Sequence, residues 1–135
     1  MANEPITLKI NKSDRKIYDE IIENSELKGK TKEVFLLSTV IGFKSGNRIS
    51  IKGSKDNYVR TEYLNDEDRA LMNSIAIYEM KDEEIIQDQK VVFDIIEEYA
   101  HVGIKILREM VFNKESGSFL KKFEAYLRGC LSPRW

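Results

Sequence analysis

The strongest constraint on the fold is the segment of residues 93–110, FDIIEEYAHVGIKILREM, which lies in a predicted helix of about residues 89–113. Apolar residues recur along it at steps of three and four, as they do on one face of an α-helix. No proline occurs between Pro5 and Pro133, so the strongest helix breaker is absent from the interior. A long helix with one apolar stripe must be covered by other elements, and this predicts a mainly α-helical protein.

The apolar stripe of this helix contains two small residues, Ala100 and Gly103. A glycine inside a helix costs about 1 kcal/mol relative to alanine. Small residues let two backbones approach closely, so we predict that Ala100 and Gly103 are helix-packing residues. The stripe itself is consistent with two uses, the intramolecular core or the interface of a homodimer.

Periodicity predicts a single helical domain, residues 1–135, built as a compact bundle of about five to six helices. Alternating residues indicate short strands or a small β-hairpin at residues 6–10 and 48–64, and an irregular loop is the alternative for 48–64. Ser13, Thr31 and Asn65 are the predicted N-caps of the first three helices, with Asp14 in the first turn of the first one. Gly46 is available for a left-handed cap that ends the second helix. The predicted helices span about residues 14–24, 32–43, 66–81, 82–86, 89–113 and 119–131.

Composition is typical of a soluble globular protein, with 41% apolar and 33% charged residues. The longest apolar run, residues 35–43, has about half the roughly 20 residues that a membrane span needs. The N-terminus shows no secretory signal, and a lone cysteine, Cys130, is compatible with a reducing compartment. We therefore expect a cytoplasmic protein without a membrane segment.

The net charge of −1 conceals a basic–acidic–basic order along the chain. Residues 44–60 hold five basic residues and one acidic residue, a net charge of +4, while residues 65–98 have a net charge of −8 and residues 99–135 a net charge of +4. Such an order could steer an anionic partner to one face. The alternative explanation is that the solvated helix faces simply differ in charge.

The basic segment, residues 44–60, is a candidate interface for duplex DNA. Two tyrosines, Tyr58 and Tyr63, lie at and just beyond its end, and clustered cations are what phosphate neutralisation requires. The isoelectric point near 5.9 and the acidic segment argue against this interpretation. The candidate DNA-binding residues are Lys44, Arg48, Lys52, Lys55 and Arg60.

Catalytic patterns are weak. Asp94, Glu97 and His101 have helical spacing and could hold a divalent metal in a nuclease, but ion pairs along an exposed helix explain them as well. The sequence Gly-Lys-Thr at residues 29–31 lacks the preceding glycine and strand of a phosphate-binding loop. We predict no metal, no cofactor and no enzymatic activity.

Four stretches together resemble the small bacterial family described as DNA phosphorothioation-associated protein 4. They are KTKEVFLLSTVIGFKSGNR (30–48), YVRTEYL (58–64), DRALMNSIAI (68–77) and IIEEYAHVGIKIL (95–107). The family is encoded with machinery that replaces a backbone phosphate oxygen of DNA by sulfur, or with associated restriction against phage. The family pattern is most marked at Gly42, Gly46, Arg48, Asp68, Glu98, Tyr99 and Gly103, and the chain departs from it at His101 and Val102.

This resemblance implies a non-catalytic accessory or adaptor subunit that docks onto a larger protein of a modification or restriction system. The strongly acidic segment suggests a basic partner surface, and the candidate partner-binding residues are Glu83, Glu84, Asp88 and Glu98. The alternative is a DNA-binding or regulatory module that contacts duplex DNA through residues 44–60.

Overall fold

The computed structural model describes residues 5–23 and 29–112, and this part of the chain is mainly helical. A two-stranded antiparallel sheet accompanies four α-helices. Short 3-10 turns lie at Lys12–Asp14, Thr61–Tyr63 and Glu83–Gln87. In chain order the elements are β1 (Thr7–Asn11), α1 (Arg15–Glu23), α2 (Thr31–Ser45), β2 (Lys55–Arg60), α3 (Asp66–Met80) and α4 (Gln89–Phe112).

The predicted number of five to six helices exceeds the four α-helices of the described residues. The short helix expected at 82–86 is the 3-10 turn Glu83–Gln87, in which the Asp82 side chain accepts a hydrogen bond from the Glu84 N–H. Because α4 begins at Gln89, there is no room for a longer helix before it. The helix expected at 119–131 lies outside the described residues.

Of the alternatives for residues 48–64, the hairpin is not formed, but short strands are present at Thr7–Asn11 and Lys55–Arg60. β2 pairs with β1, with Leu8 opposite Val59, and residues 49–51 form no strand. Leu8, Ile10 and Val59 are buried, whereas Ile49 is 55% exposed. β1 is the better partner because it adds two apolar side chains to the core, which pairing with residues 49–51 would leave in water.

Helices α2 and α4 form the centre of the core, and two glycines lie where they cross. A Cβ atom on Gly103 would lie 1.6 Å from the Ser38 carbonyl oxygen, and one on Gly42 would lie 1.9 Å from the Tyr99 carbonyl oxygen. The two backbones are therefore in direct contact, which no residue with a side chain would allow at these positions.

Some of the predicted helix ends are confirmed and others are wrong. Asn65 caps α3 in a reciprocal capping box with Asp68, and Gly46 ends α2 with a left-handed φ of 80°, both as the sequence indicates. Thr31 is the first residue of α2 rather than its cap, and Asn11, not Ser13, caps the turn before α1. Within the described ranges, none of the helices has the length and apolar character needed to cross a membrane.

Candidate functional site

The five candidate DNA-binding residues are spread along the connection from α2 to β2. Lys44 lies in the last turn of α2, Arg48 and Lys52 in the connection, and Lys55 and Arg60 at the two ends of β2. Lys44 and Lys52 are exposed, and neither forms an ion pair with a described residue. The other three are each paired with carboxylates of their own chain.

Arg48 fastens the α2–β2 connection to two helices. Its Nε lies 3.3 Å from Oε1 of Glu79 on α3, and its Nη1 lies 3.4 Å from Oε1 of Glu98 on α4. The Tyr99 hydroxyl donates a 2.5 Å hydrogen bond to Oε2 of Glu79. Burial, and then this contact with Glu79, raises the pKa of Tyr99 to about 12. A candidate DNA contact and a candidate partner contact, Arg48 and Glu98, thus bind each other.

Glu97 is buried, although the sequence suggested an exposed helix face for it. Only 4% of it is exposed, and it accepts hydrogen bonds from the Lys9 backbone N–H at 2.8 Å and from Lys55 Nζ at 2.9 Å. These two bonds connect α4 to β1 and to β2. The sheet therefore covers a face of α4 that lies outside the apolar stripe and that the sequence pattern predicts to be polar and exposed.

Burial and pairing act differently on the two members of this ion pair. Burial raises the pKa of Glu97 above its ordinary value, and the hydrogen bonds from Lys55 and Lys9 only partly offset that effect. Burial also lowers the pKa of Lys55, but Lys55 is more exposed, and the carboxylate of Glu97 outweighs burial and leaves the pKa raised. The contact therefore favours the charged form of Lys55. For Glu97, burial disfavours the charged form by more than the contact favours it.

His101 contacts a carboxylate from another part of the chain. Its Nδ1 lies 2.5 Å from Oδ2 of Asp14, which is 1% exposed, and Lys105 Nζ lies 3.2 Å from Oδ1 of the same residue. The sequence placed Asp14 in the first turn of the first helix and grouped His101 with Asp94 and Glu97. Among the described residues, no three His, Cys, Asp or Glu side chains are arranged to hold a metal ion.

Three of the four candidate partner-binding residues lie together at the junction of α3 and α4. Glu83, Glu84 and Asp88 are exposed in and after the 3-10 turn, next to the exposed Asp82. We call Asp82, Glu83, Glu84 and Asp88 the acidic surface. None of them forms a salt bridge with a described residue, and Met80 and Ile86 beside them are 45% and 40% exposed. Glu98 is about 15 Å further along α4 and belongs to the Arg48 cluster instead.

Ala100 and Gly103 lie in the contact between α4 and α2. Ala100 is 1% exposed, and the Ser38 carbonyl occupies the space next to Gly103. The apolar stripe is therefore covered within one chain and is not free to form a homodimer at this position.

The sequence did not predict Asp14 as the partner of His101 or Glu79 as the partner of Arg48. Their partners lie 87 and 31 residues away in the chain, so the spacing of neighbouring residues carries no signal for them. The pairing of Arg48 with Glu98 had one sequence indication, because both stand where the family pattern is marked.

Comparison with known proteins gives one family. The family model described as DNA sulphur modification system-associated protein 4 matches residues 8–126, which include all four described helices. Among curated proteins and solved structures, none matches the chain. The family match confirms the resemblance found in the sequence.

Proposed function

Because the chain belongs to the family of DNA sulphur modification system-associated protein 4, we propose that it is a non-catalytic accessory subunit that docks onto a larger protein of that system. The proposed setting is the bacterial cytoplasm, in DNA modification or in restriction against phage. We also propose that residues 1–135 act as one domain, which is supported by the packing of α4 against α1, α2, α3 and β1.

The observation that carries the adaptor proposal is the contrast between two groups of carboxylates. Glu79 and Glu98 share an ion pair with Arg48, and Glu97 pairs with Lys55. The acidic surface has no such cation among the described residues, so its charge is available to a partner. A basic partner could neutralise it.

Exposed apolar side chains beside the acidic surface support the same role. Met80 and Ile86 are large and about half exposed. Specific interfaces combine an apolar centre with a charged rim, and this combination is present at the α3–α4 junction. We propose that the partner supplies a basic surface with an apolar pocket that receives Ile86.

The test is capture of the tagged protein from its native host, with nuclease treatment. The wild-type protein should retain a stoichiometric partner after DNA is digested. The triple variant Glu83→Lys, Glu84→Lys, Asp88→Lys should lose it, because three repulsive charges then face a basic surface.

The matched control reverses three exposed acidic residues elsewhere, in the variant Asp19→Lys, Glu23→Lys, Glu109→Lys. It should retain the partner, because the change in net charge is the same but the acidic surface is intact. If both triple variants retained the partner, or if both lost it, docking through the acidic surface would be refuted. Loss of every partner on nuclease treatment would refute the adaptor role.

Direct binding of duplex DNA through residues 44–60 is the second candidate, and the exposure of Lys44 and Lys52 favours it. Since Arg48, Lys55 and Arg60 are paired internally, we expect few phosphate contacts and a slope of log K against log salt of about −2. Fluorescence anisotropy with a labelled duplex should show binding that is lost in the double variant Lys44→Ala, Lys52→Ala, which removes the two exposed cations and leaves the internal ion pairs intact. Absence of binding at low salt would exclude this function.

A further inference from the structure

A groove separates the first turn of α2 from the end of β2 and the 3-10 turn that follows it. Its volume is about 550 Å³, within the range of small-ligand sites. Val59, which is buried, lies in it, and Tyr58, Arg60 and Tyr63 line one wall. Lys32 is on the opposite wall.

The Tyr63 side chain is 65% exposed, but the backbone that carries it is firmly held. The Thr61 N–H donates to the Ile6 carbonyl at 2.8 Å, and Arg69 Nη2 donates to the Thr61 carbonyl at 3.1 Å. Lys32 Nζ donates to the Tyr63 carbonyl at 3.4 Å, across the groove. The ring is thus presented on a fixed backbone, which reduces the entropy lost when a ligand packs on it.

Tyr63 is the aromatic ring in this groove that is available for stacking. Tyr58 already packs against Tyr18, with ring centroids 4.8 Å apart, and the Arg15 guanidinium lies 5.5 Å from the Tyr58 ring. No aromatic ring of the described part of the chain packs on Tyr63. An exposed tyrosine of this kind can stack with any planar base, because every base has a π face.

The two cations of the groove differ in how easily they can change partner. Lys32 Nζ is 2.8 Å from Asp68 and its side chain is 22% exposed, so it acts as part of the wall. Arg60 pairs with Glu62, but the two side chains are 61% and 59% exposed. Solvent-exposed pairs of this kind contribute little, so Arg60 can exchange Glu62 for a phosphate group.

From these contacts we propose that the groove binds a nucleotide, with the base stacked on Tyr63 and the phosphate on Arg60. A free nucleotide and an unpaired nucleotide of a DNA strand share this chemistry. The groove and the acidic surface share no residues, so the nucleotide proposal and the adaptor proposal can each fail without the other.

The test is fluorescence anisotropy of the full chain with labelled single-stranded oligo(dT) of roughly ten nucleotides at low salt. Tyr63→Ala should weaken binding on the order of tenfold, because base stacking on an aromatic side chain is lost. Tyr63→Phe keeps the ring and should bind like the wild type. Tyr78→Ala, which removes another tyrosine that is 61% exposed, should also bind like the wild type.

Two cation variants separate this groove from the basic segment as a whole. Arg60→Gln should weaken binding and reduce its salt dependence, whereas Lys52→Ala, which removes an exposed cation outside the groove, should not. Equal losses in both variants would overturn the proposal, because binding would then follow the charge of residues 44–60.

Competition with thymidine monophosphate identifies the source of the nucleotide. Displacement of oligo(dT) by the monophosphate supports a site for a free nucleotide. Binding of oligo(dT) without such displacement, but with sensitivity to Tyr63→Ala, supports a site for a DNA strand. No binding of either probe, or unchanged binding by Tyr63→Ala, would overturn the proposal.

Discussion

Glutamates of the same chain have very different surroundings here. Glu97 is buried and holds the sheet against α4, whereas Glu83 is exposed and without a cation among the described residues. Helical periodicity could not separate them, because it identifies the most apolar face of a helix and not the other elements that pack on it. The apolar stripe located Gly103 in the core, but the burial of Glu97 depends on a strand 88 residues away.

Gly103→Ala should force α2 and α4 apart. The added Cβ would lie 1.6 Å from the Ser38 carbonyl oxygen, so α2 and α4 must move apart. We expect a loss of about 3 kcal/mol or more in the free energy of unfolding, measured by urea denaturation.

The control for this change is Gly53→Ala, where the new Cβ meets no atom within 4 Å but φ is +89°. It should cost about 1–2 kcal/mol from the backbone conformation alone. A loss for Gly103→Ala no larger than that of Gly53→Ala would contradict the close helix contact.

Glu97 should contribute to the pH dependence of stability. Its pKa in the folded protein is raised above the ordinary value of 4.5, so its contribution to stability is complete below about pH 4.5 and is lost as pH rises through the folded pKa. Glutamine does not titrate. The stability of the wild type relative to Glu97→Gln, measured by urea denaturation, should therefore fall as pH rises above about 4.5.

Glu109→Gln is the control, because Glu109 is exposed. Its stability difference from the wild type should change little over the same pH range. If the wild type instead gained stability over Glu97→Gln as pH rises, the ion pair with Lys55 would outweigh burial.

Neighbouring residues in the sequence identified some of the helix ends, whereas the pairing of the strands depends on residues far apart in the chain. The cap at Asn65 and the end of α2 at Gly46 were predicted because three or four adjacent residues determine them. The pairing of β1 with β2 was missed because the strands are separated by α1 and α2. The alternation of apolar residues identifies a strand but not its partner.

The start of α3 depends on the capping box of Asn65 and Asp68. Asn65→Ala removes the side-chain oxygen that accepts the Asp68 N–H at 2.8 Å, and we expect a loss of about 1 kcal/mol in the free energy of unfolding. Asn47→Ala, at an exposed position outside any helix, is the control and should change stability little. An Asn65→Ala variant as stable as the wild type would show that the capping box contributes nothing.

For the whole molecule, the basic–acidic–basic order of the sequence gives only part of the surface charge. Arg48, Lys55 and Arg60 are paired with carboxylates, so the basic segment presents less charge than its composition suggests. The acidic surface keeps its charge because the described residues supply no cation to it. Sequence analysis located both segments, but only the contacts show which of the two is neutralised.

If the acidic surface docks on a basic partner, the association should depend on salt. The association rate constant with the captured partner should fall as ionic strength rises from about 0.05 to about 0.5 M, because screening shortens the range of attraction. Surface plasmon resonance would measure it, with the variant Glu83→Lys, Glu84→Lys, Asp88→Lys as the comparison. A rate constant that does not change with salt would argue against electrostatic docking.

The bond between the Lys9 N–H and Glu97 also sets an order of events during synthesis. At about 5–20 residues per second, a ribosome needs on the order of 5–20 seconds to add the 88 residues that separate donor from acceptor. During that interval the first strand leaves the exit tunnel without β2 or α4 to cover it. Leu8 and Ile10 are then exposed on a nascent chain, so this short strand can pair with other chains until β2 and α4 cover it.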